Sequence, residues 1–171
     1  FQDVVIVATD DDIDEGPHTG TITHTVTGDV NYAGWILADQ TVDITDDDTA
    51  GITVDDLGGV NVDEANVPAT DTFTVVLDSE PTADVTVTLT PDAQISTAPS
   101  PLVFTSANWD TPQVVTVTAI DDPIDEADPH PGVASFGVAS ADPKYSILTP
   151  TPVTADVADD DTASVNVTPG V

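Results

Sequence analysis

The carboxylate side chains of this sequence gather in short clusters that could bind a metal ion. Between residues 49 and 161 the clusters are Asp63-Glu64, then Asp121-Asp122-x-x-Asp125-Glu126, then Asp159-Asp160-Asp161. Such crowding is electrostatically unfavourable unless a cation binds. Ca²⁺ accepts roughly six to eight oxygen ligands at flexible geometry, whereas Mg²⁺ requires stricter octahedral geometry and keeps several waters. The clusters therefore predict calcium sites.

The competing interpretation is a hydrated acidic surface, as in halophilic proteins. The chain has 171 residues, with 32 Asp or Glu against one basic residue, Lys144, and a formal net charge of −31. One lysine can neutralise only one or two carboxylates, so nearly all the others must be solvated, protonated or bound to metal. Two features favour metal over simple solvation: the clusters recur along the chain, and they fall at the ends of predicted strands.

The same charge excludes two classes of partner. A nucleic-acid binder needs a basic surface that releases counterions, and an anionic membrane would repel this chain. No apolar run approaches the ~20 residues of a membrane span. We therefore expect no nucleic-acid partner and no membrane. Cysteine is absent, so an extracellular domain of this sequence would need a stabilising element other than a disulfide.

The sequence offers little for catalysis. It contains no G-x-S-x-G, P-loop or G-x-G-x-x-G motif. Paired carboxylates could indicate a glycosidase, but a sugar cleft normally presents aromatic platforms, and the chain has only 2 Trp, 2 Tyr and 4 Phe. The acid clusters are also duplicated, as expected of structural sites. We expect that the protein is not an enzyme.

The three histidines are interpreted as structural or surface residues. His18 and His130 occupy matching positions, each beside a proline, and are assigned to loops near the acidic clusters. A metal or pH-dependent role is the alternative. His24 stands alone in a predicted strand and is assigned to the surface.

An internal repeat organises the chain. Residues 42–54 read VDITDDDTAGITV and residues 155–167 read ADVADDDTASVNV, which places Asp46 and Asp159 at a spacing of 159 − 46 = 113. Residues 9–15 match residues 120–126 at a spacing of 111. Asp29 and Tyr32 likewise align with Asp142 and Tyr145. The acidic clusters therefore recur as Asp10-Asp11-Asp12-x-Asp14-Glu15 and Asp46-Asp47-Asp48.

The repeat length suits an immunoglobulin-like sandwich of about 100 residues and about seven strands. Residues 49–161 would form one complete repeat, residues 1–48 the C-terminal half of the preceding one, and residues 162–171 the first strand of the next. We favour an excerpt of a longer tandem array. The alternative is that identical subunits complete one another by strand donation.

Alternating β-branched and polar residues predict strands almost throughout. The clearest are residues 4–8, 71–77, 84–90 and 114–120, and shorter candidates are residues 21–27, 41–45, 52–54, 133–138, 152–157 and 164–167. No stretch shows a sustained helical period. The predicted fold class is all-β, built from tandem Ig-like antiparallel β-sandwiches.

These motifs resemble the Calx-beta family. The repeat closes on I/V-x-DDD-x-A-G/S, carries an acid pair after its opening strand, and contains V-x-V-x-x-x-DD-x-x-D-E in its middle. It is also similar to Ig-like repeats of very long bacterial surface proteins, because of residues 103–122, VFTSANWDTPQVVTVTAIDD. The resemblance implies a sandwich with a multi-calcium site at one tip, near the junction with the next domain.

The resemblance also implies a ligand set. The ligands carried over by position are Glu64, Asp121, Asp122, Glu126, Asp159, Asp160 and Asp161, with Asp10, Asp11, Glu15, Asp46, Asp47 and Asp48 in the half repeat. Calx-beta repeats often have a second acid shortly after the Glu126 position, where this chain has Asp128-Pro129-His130. The number of ions is therefore left open.

The expected function is mechanical. The chain would be a segment of an extracellular or cell-surface stalk, fibre or surface layer, in which structural Ca²⁺ stiffens the interdomain junctions. Its partners would be neighbouring repeats of the same chain or identical subunits. The alternatives are an adhesin-type module that binds a cell-surface protein or glycan, and a self-assembling filament subunit.

Overall fold

The computed structural model describes residues 2–65 and 70–167, which contain strands and turns but no helix. No helix within these ranges has the length and apolar character needed to cross a membrane. The all-β prediction is confirmed. The chain divides into two compact units, Phe1–Thr49 and Ala50–Val171. The boundary lies one residue from the predicted one, and the assignment of the units to repeats of a tandem array stays a prediction.

The first unit is built on one antiparallel hairpin. Strand β1 (His18–Ile22) pairs with β2 (Gln40–Ile44), with His18 opposite Ile44. The predicted strand at residues 4–8 is wrong, because this segment is not assigned to a strand. A strand requires a hydrogen-bonded neighbour, and no other described segment of this unit pairs with it.

The second unit is a two-layer β-sandwich. Its strands are β3 (Ile52–Asp55), β4 (Val60–Asp63), β5 (Thr70–Leu77), β6 (Val85–Pro91), β7 (Ile95–Ala98), β8 (Leu102–Phe104), β9 (Gln113–Ala119), β10 (His130–Ser140) and β11 (Val153–Ala158). One sheet has the order β4-β11-β10-β6-β8 and the other β3-β5-β9-β7. The pairing is antiparallel except between β4 and β11, which run parallel. These described strands number nine, not the expected seven, because the connecting segments contain additional short strands.

The core lies between the two sheets and follows from the period-2 alternation of the longer strands. In β9, for example, Val115 and Val117 are fully buried while Val114 is exposed. Phe73 of β5 meets Phe136 of β10 edge-to-face, with ring centroids 6.1 Å apart. The two rings belong to different sheets, so this contact joins the layers.

Three short strands were not predicted. They are β4, β7 and β8, of 4, 4 and 3 residues. Strands this short offer only two inward-facing positions, too few for a recognisable alternation. Conversely, residues 164–167 are not assigned to a strand. The rest of the predicted first strand of a following repeat, residues 168–171, lies outside the described residues.

A buried tyrosine fixes the connection between β10 and β11. The Tyr145 hydroxyl donates to the Ser79 carbonyl at 2.6 Å and lies 2.9 Å from the Ser79 Oγ. Burial raises the Tyr145 pKa, although the hydrogen bonds with Ser79 oppose that shift. In the first unit the matching residue, Tyr32, is 62% exposed, whereas Tyr145 is 1% exposed. This anchor helps to set the position from which β11 runs towards the acidic triplet.

Candidate metal centre

Glu64 is a carboxylate buried at one end of the sandwich. Its backbone N–H donates to the Ala158 carbonyl at 3.0 Å, which extends the parallel β4–β11 pair by one residue. The Glu64 side chain has no exposed surface. Both of its carboxylate oxygens are buried and accept no hydrogen bond from any described residue. A buried charge without such partners is unfavourable, so this side chain has the character of a cation ligand.

The electrostatic environment of Glu64 agrees with that character. Burial raises its pKa, the neighbouring His130 lowers it, and the carboxylates of Glu126, Asp122 and Asp159 raise it further, with a raised pKa as the result. A bound divalent cation would favour the ionised form and reverse the effect of these neighbours.

A histidine and a second glutamate lie beside Glu64. His130 is the first residue of β10, and its Nε2 is 3.1 Å from Glu126 Oε2 and 3.5 Å from Glu64 Oε1. These are ion-pair distances, but neither contact has the geometry of a hydrogen bond. Gln94 donates from Nε2 to Glu126 Oε1 at 2.6 Å and so orients the Glu126 carboxylate.

Glu64 also belongs to a second group that consists only of carboxylates. One oxygen from each of Glu64, Asp121, Asp160 and Asp161 lies within 4.8 Å of every other. Oxygens bound to one Ca²⁺ at about 2.4 Å can be at most about 4.8 Å apart, so these four meet the limit. The residues follow β4, β9 and β11, and these three strands therefore end at the same tip.

Asp161 is the most constrained aspartate of this group. Its Oδ2 is buried and makes no hydrogen bond with a described residue. Burial raises the Asp161 pKa, and the charges of Asp160, Asp159, Asp121 and Asp122 add to that increase. The carboxylate group thus concentrates negative charge where water can compensate it only in part.

Two predicted ligands have structural partners instead. Asp122 Oδ1 accepts a hydrogen bond from the Ile124 N–H at 2.9 Å. Asp159 accepts hydrogen bonds from two backbone N–H groups, that of Glu126 at 3.0 Å on Oδ2 and that of Asp161 at 3.2 Å on Oδ1. Neither residue contributes an atom to the two groups described above. They fix the loops that carry the ligands.

The predicted ligands of the first unit also lie together. An open cleft of about 200 Å³ is lined by His18 and by the predicted ligands Asp10, Asp11, Glu15, Asp46 and Asp47. Asp48 does not line this cleft, but burial and the charges of Asp46, Asp47, Asp12 and Asp10 raise its pKa. The cleft is thus an acidic site made from the same predicted clusters.

The two units share local geometry at matching positions. The Ile13 N–H donates to Asp11 Oδ1 at 3.0 Å, as the Ile124 N–H donates to Asp122 Oδ1 at 2.9 Å. Within the triplets, the Asp48 N–H donates to Asp46 Oδ1 at 3.5 Å, as the Asp161 N–H donates to Asp159 Oδ1 at 3.2 Å. The His18–Glu15 pair, at 3.5 Å, matches the His130–Glu126 pair, at 3.1 Å. Glu64 lies in the N-terminal half of residues 49–161, which the repeat does not match to any residue of the first unit.

The interpretation of His18 and His130 as loop residues is wrong, since they are the first residues of β1 and β10. His130 is also only 8% exposed. Its burial could have been recognised from the sequence. Gly132 and Ala134 follow it at alternate positions and are both buried with it, so His130 lies on the inward face.

Comparison with solved structures finds a weak similarity. Among solved structures, the chain is similar to WR4, a C. elegans MSP family member, with 9% sequence identity, a TM-score of 0.41, and coverage of 64% of this chain and 97% of that chain. No protein-family model matches the chain. No curated protein matches it either. The resemblance to Calx-beta repeats gains no support from these comparisons.

Proposed function

We propose that this chain is a calcium-stabilised structural segment of an extracellular stalk, fibre or surface-layer protein. The proposal depends above all on Glu64, a fully buried carboxylate without a hydrogen-bond partner among the described residues. Asp121, Asp160 and Asp161 converge on it at distances that one Ca²⁺ can span. All four ligands are oxygens, the donors that Ca²⁺ prefers.

The proposed role of the ion is to stabilise the folded state. Without a cation, Glu64 is either ionised in an unfavourable environment or protonated. Bound Ca²⁺ compensates Glu64 and the aspartates beside it, and it does so only when β4, β9 and β11 bring them together. A ligand that binds only the folded state stabilises it by mass action. Extracellular modules bind Ca²⁺ at roughly 10⁻⁴–10⁻³ M, which suits an external protein.

The mechanical part of the proposal concerns the acidic triplets. Asp46, Asp47 and Asp48 come immediately before Thr49, the last residue of the first unit. In the proposed function, Ca²⁺ bound at this triplet orders the chain where it leaves one unit for the next. The matching triplet of Asp159, Asp160 and Asp161 would do the same for a following repeat.

The tandem Ig-like, Calx-beta-like organisation is part of this proposal. It is supported by the hydrogen bonds that recur at matching positions of the two units, including those within the two acidic triplets. The proposed partners are neighbouring repeats or identical subunits. A cell-surface protein or glycan is a further possible partner.

A distance measurement between the two units tests the stiffening. Because the chain has no cysteine, the double variant Thr21→Cys and Thr154→Cys would place spin labels at one exposed position in each unit. Pulsed electron paramagnetic resonance should give a broad distance distribution in EGTA and a narrower one in millimolar Ca²⁺. The control pair, Val114→Cys and Thr154→Cys, lies on the two sheets of the second unit and should change little. If Ca²⁺ is shown to bind but the distance distribution between the two units keeps the same width, that result would contradict the mechanical role.

A further inference from the structure

The group of Glu64, Glu126 and His130 differs chemically from the carboxylate group beside it. Its potential ligand atoms also lie within 4.8 Å of one another, but one of them is an imidazole nitrogen. Ca²⁺ prefers hard oxygen ligands, whereas imidazole suits ions such as Zn²⁺. The tip of the second unit therefore presents two adjacent sets of ligands with different metal preferences.

The distances within the inner group fit a small ion. Ligands bound to Zn²⁺ at about 2.0–2.1 Å in a tetrahedron are about 3.3–3.4 Å apart. His130 Nε2 lies 3.1 Å from Glu126 Oε2 and 3.5 Å from Glu64 Oε1, on either side of that separation. The third separation, between the Glu64 and Glu126 oxygens, is within 4.8 Å.

Burial gives an independent reason to expect a ligand here. Several potential ligand atoms are buried without a hydrogen-bond partner in the described part of the chain. They are both ring nitrogens of His130, both oxygens of Glu64, and Oε2 of Glu126. The other Glu126 oxygen is held by Gln94. That arrangement leaves Oε2 directed towards His130, as an outer hydrogen bond orients a metal ligand.

We propose that this tip contains two neighbouring cation subsites that share Glu64, and that the inner one binds a divalent transition-metal ion through Glu64, Glu126 and His130. The outer subsite, which combines Glu64 with Asp121, Asp160 and Asp161, is the calcium site of the proposed function. The inference that the two subsites share Glu64 therefore rests on that function. In the first unit the matching histidine and glutamate are His18 and Glu15, whose Nε2 and Oε2 are 3.5 Å apart.

The test uses the histidine side chains of residues 1–171. Only three histidines are present, so nitrogen-detected NMR can follow each ring during titration with Zn²⁺ in millimolar Ca²⁺. The His130 ring signals should change at the first equivalent, while those of His18 and His24 stay unchanged. His130→Gln should weaken Zn²⁺ binding at least about tenfold, because it removes a direct ligand. His24→Gln, which removes an exposed histidine, is the matched control.

The alternative without metal is an imidazolium that pairs with the two glutamates. In that case the His130 signals would not respond to Zn²⁺, or all three histidines would respond alike, and either result would overturn the inner subsite. The calcium site is tested separately, by measuring stabilisation by Ca²⁺ in His130→Gln. If Ca²⁺ still stabilises that variant, a failure with Zn²⁺ leaves the proposed function intact. If Zn²⁺ binds at His130 but Ca²⁺ does not stabilise the protein, only the calcium function is rejected.

Discussion

The backbone N–H of Glu126 donates to Asp159 Oδ2 at 3.0 Å, which ties the β9–β10 connection to the triplet after β11. The first unit has a similar link, from the Gly16 N–H to Asp46 Oδ2 at 2.7 Å. In both units the first aspartate of the triplet thus fixes the neighbouring loop through a backbone hydrogen bond. The carboxylates that follow it are held close to the acids of that loop.

Replacing Glu64 with Gln should separate metal binding from folding. The variant removes a buried charge, so we expect that the metal-free protein unfolds at a midpoint no lower than that of the original chain. It also removes an oxygen ligand, and the increase in midpoint caused by Ca²⁺ should fall to less than half. The control is Glu80→Gln, at a half-buried glutamate outside both groups. Equal calcium shifts in the two variants would exclude Glu64 as a ligand.

The stability of the metal-free protein should fall as the pH rises above the ordinary carboxyl range. Glu64, Asp161 and Asp48 have raised pKa values in the folded state, from ordinary values of 4.5, 3.8 and 3.8. Between the ordinary and the raised values the folded chain binds more protons than the unfolded chain, so stability decreases with increasing pH. Denaturant midpoints measured from about pH 4 upwards should show this decrease without metal, and Ca²⁺ should reduce it.

Asp142 acts in the opposite direction and in a lower pH range. Burial raises its pKa, but hydrogen bonds from Thr82, Lys144 and Tyr145 outweigh burial and leave the pKa below 3.8. The stabilisation that Asp142 contributes is present when the pH is above its ordinary pKa, and it is lost as the pH falls through its lowered pKa. Metal-free stability that rises steadily as the pH increases from about 4 would contradict the raised pKa values of the metal site.

The Tyr145 hydroxyl should contribute measurably to stability. Tyr145→Phe would leave the buried Ser79 groups without that partner, at a cost of about 1–3 kcal/mol in the free energy of unfolding. Tyr32→Phe, at the exposed matching position, should change stability by less than about 0.5 kcal/mol. Urea denaturation of both variants measures the difference, and similar effects would contradict the anchoring role of Tyr145.

Gly132 should not tolerate a methyl group. Gly132 belongs to β10, the strand that begins with His130. A Cβ there would lie 2.5 Å from Ile95 Cγ2 and 3.2 Å from Val157 Cγ2. We expect that Gly132→Ala costs about 1–3 kcal/mol through overpacking. At the matching Gly20 the nearest atom, Ile44 Cδ1, is 3.3 Å away, and Gly20→Ala should cost less. Equal losses in thermal unfolding would mean that close packing at Gly132 is not decisive.

The sequence predicted the parts of the fold with strong local signals. Strands β5, β6 and β9 were recognisable because seven or eight residues alternate between the core and the surface. Residues 4–8 read VVIVA, a continuous run of apolar residues that also favours a strand. They form no strand, since pairing depends on a neighbour that local pattern cannot reveal.

The site was predictable to a similar degree. Acidic residues at the ends of strands pointed to one tip, where Glu64, Asp121 and Asp161 now lie together. The sequence could not tell which carboxylates would fix backbone N–H groups, as Asp159 does. That division depends on loop conformation, which a single sequence does not specify.

Thermal unfolding of residues 1–171 tests the calcium site most directly. Midpoints would be compared in EGTA and in millimolar Ca²⁺, with Mg²⁺ and with NaCl at matched ionic strength as controls. With Ca²⁺ at about one hundred times its dissociation constant, we expect an increase of roughly 5–10 °C. NaCl should give a much smaller increase. An equal increase in NaCl would mean that the charge is only screened, and it would contradict the assignment of Glu64, Asp121, Asp160 and Asp161 as a calcium site.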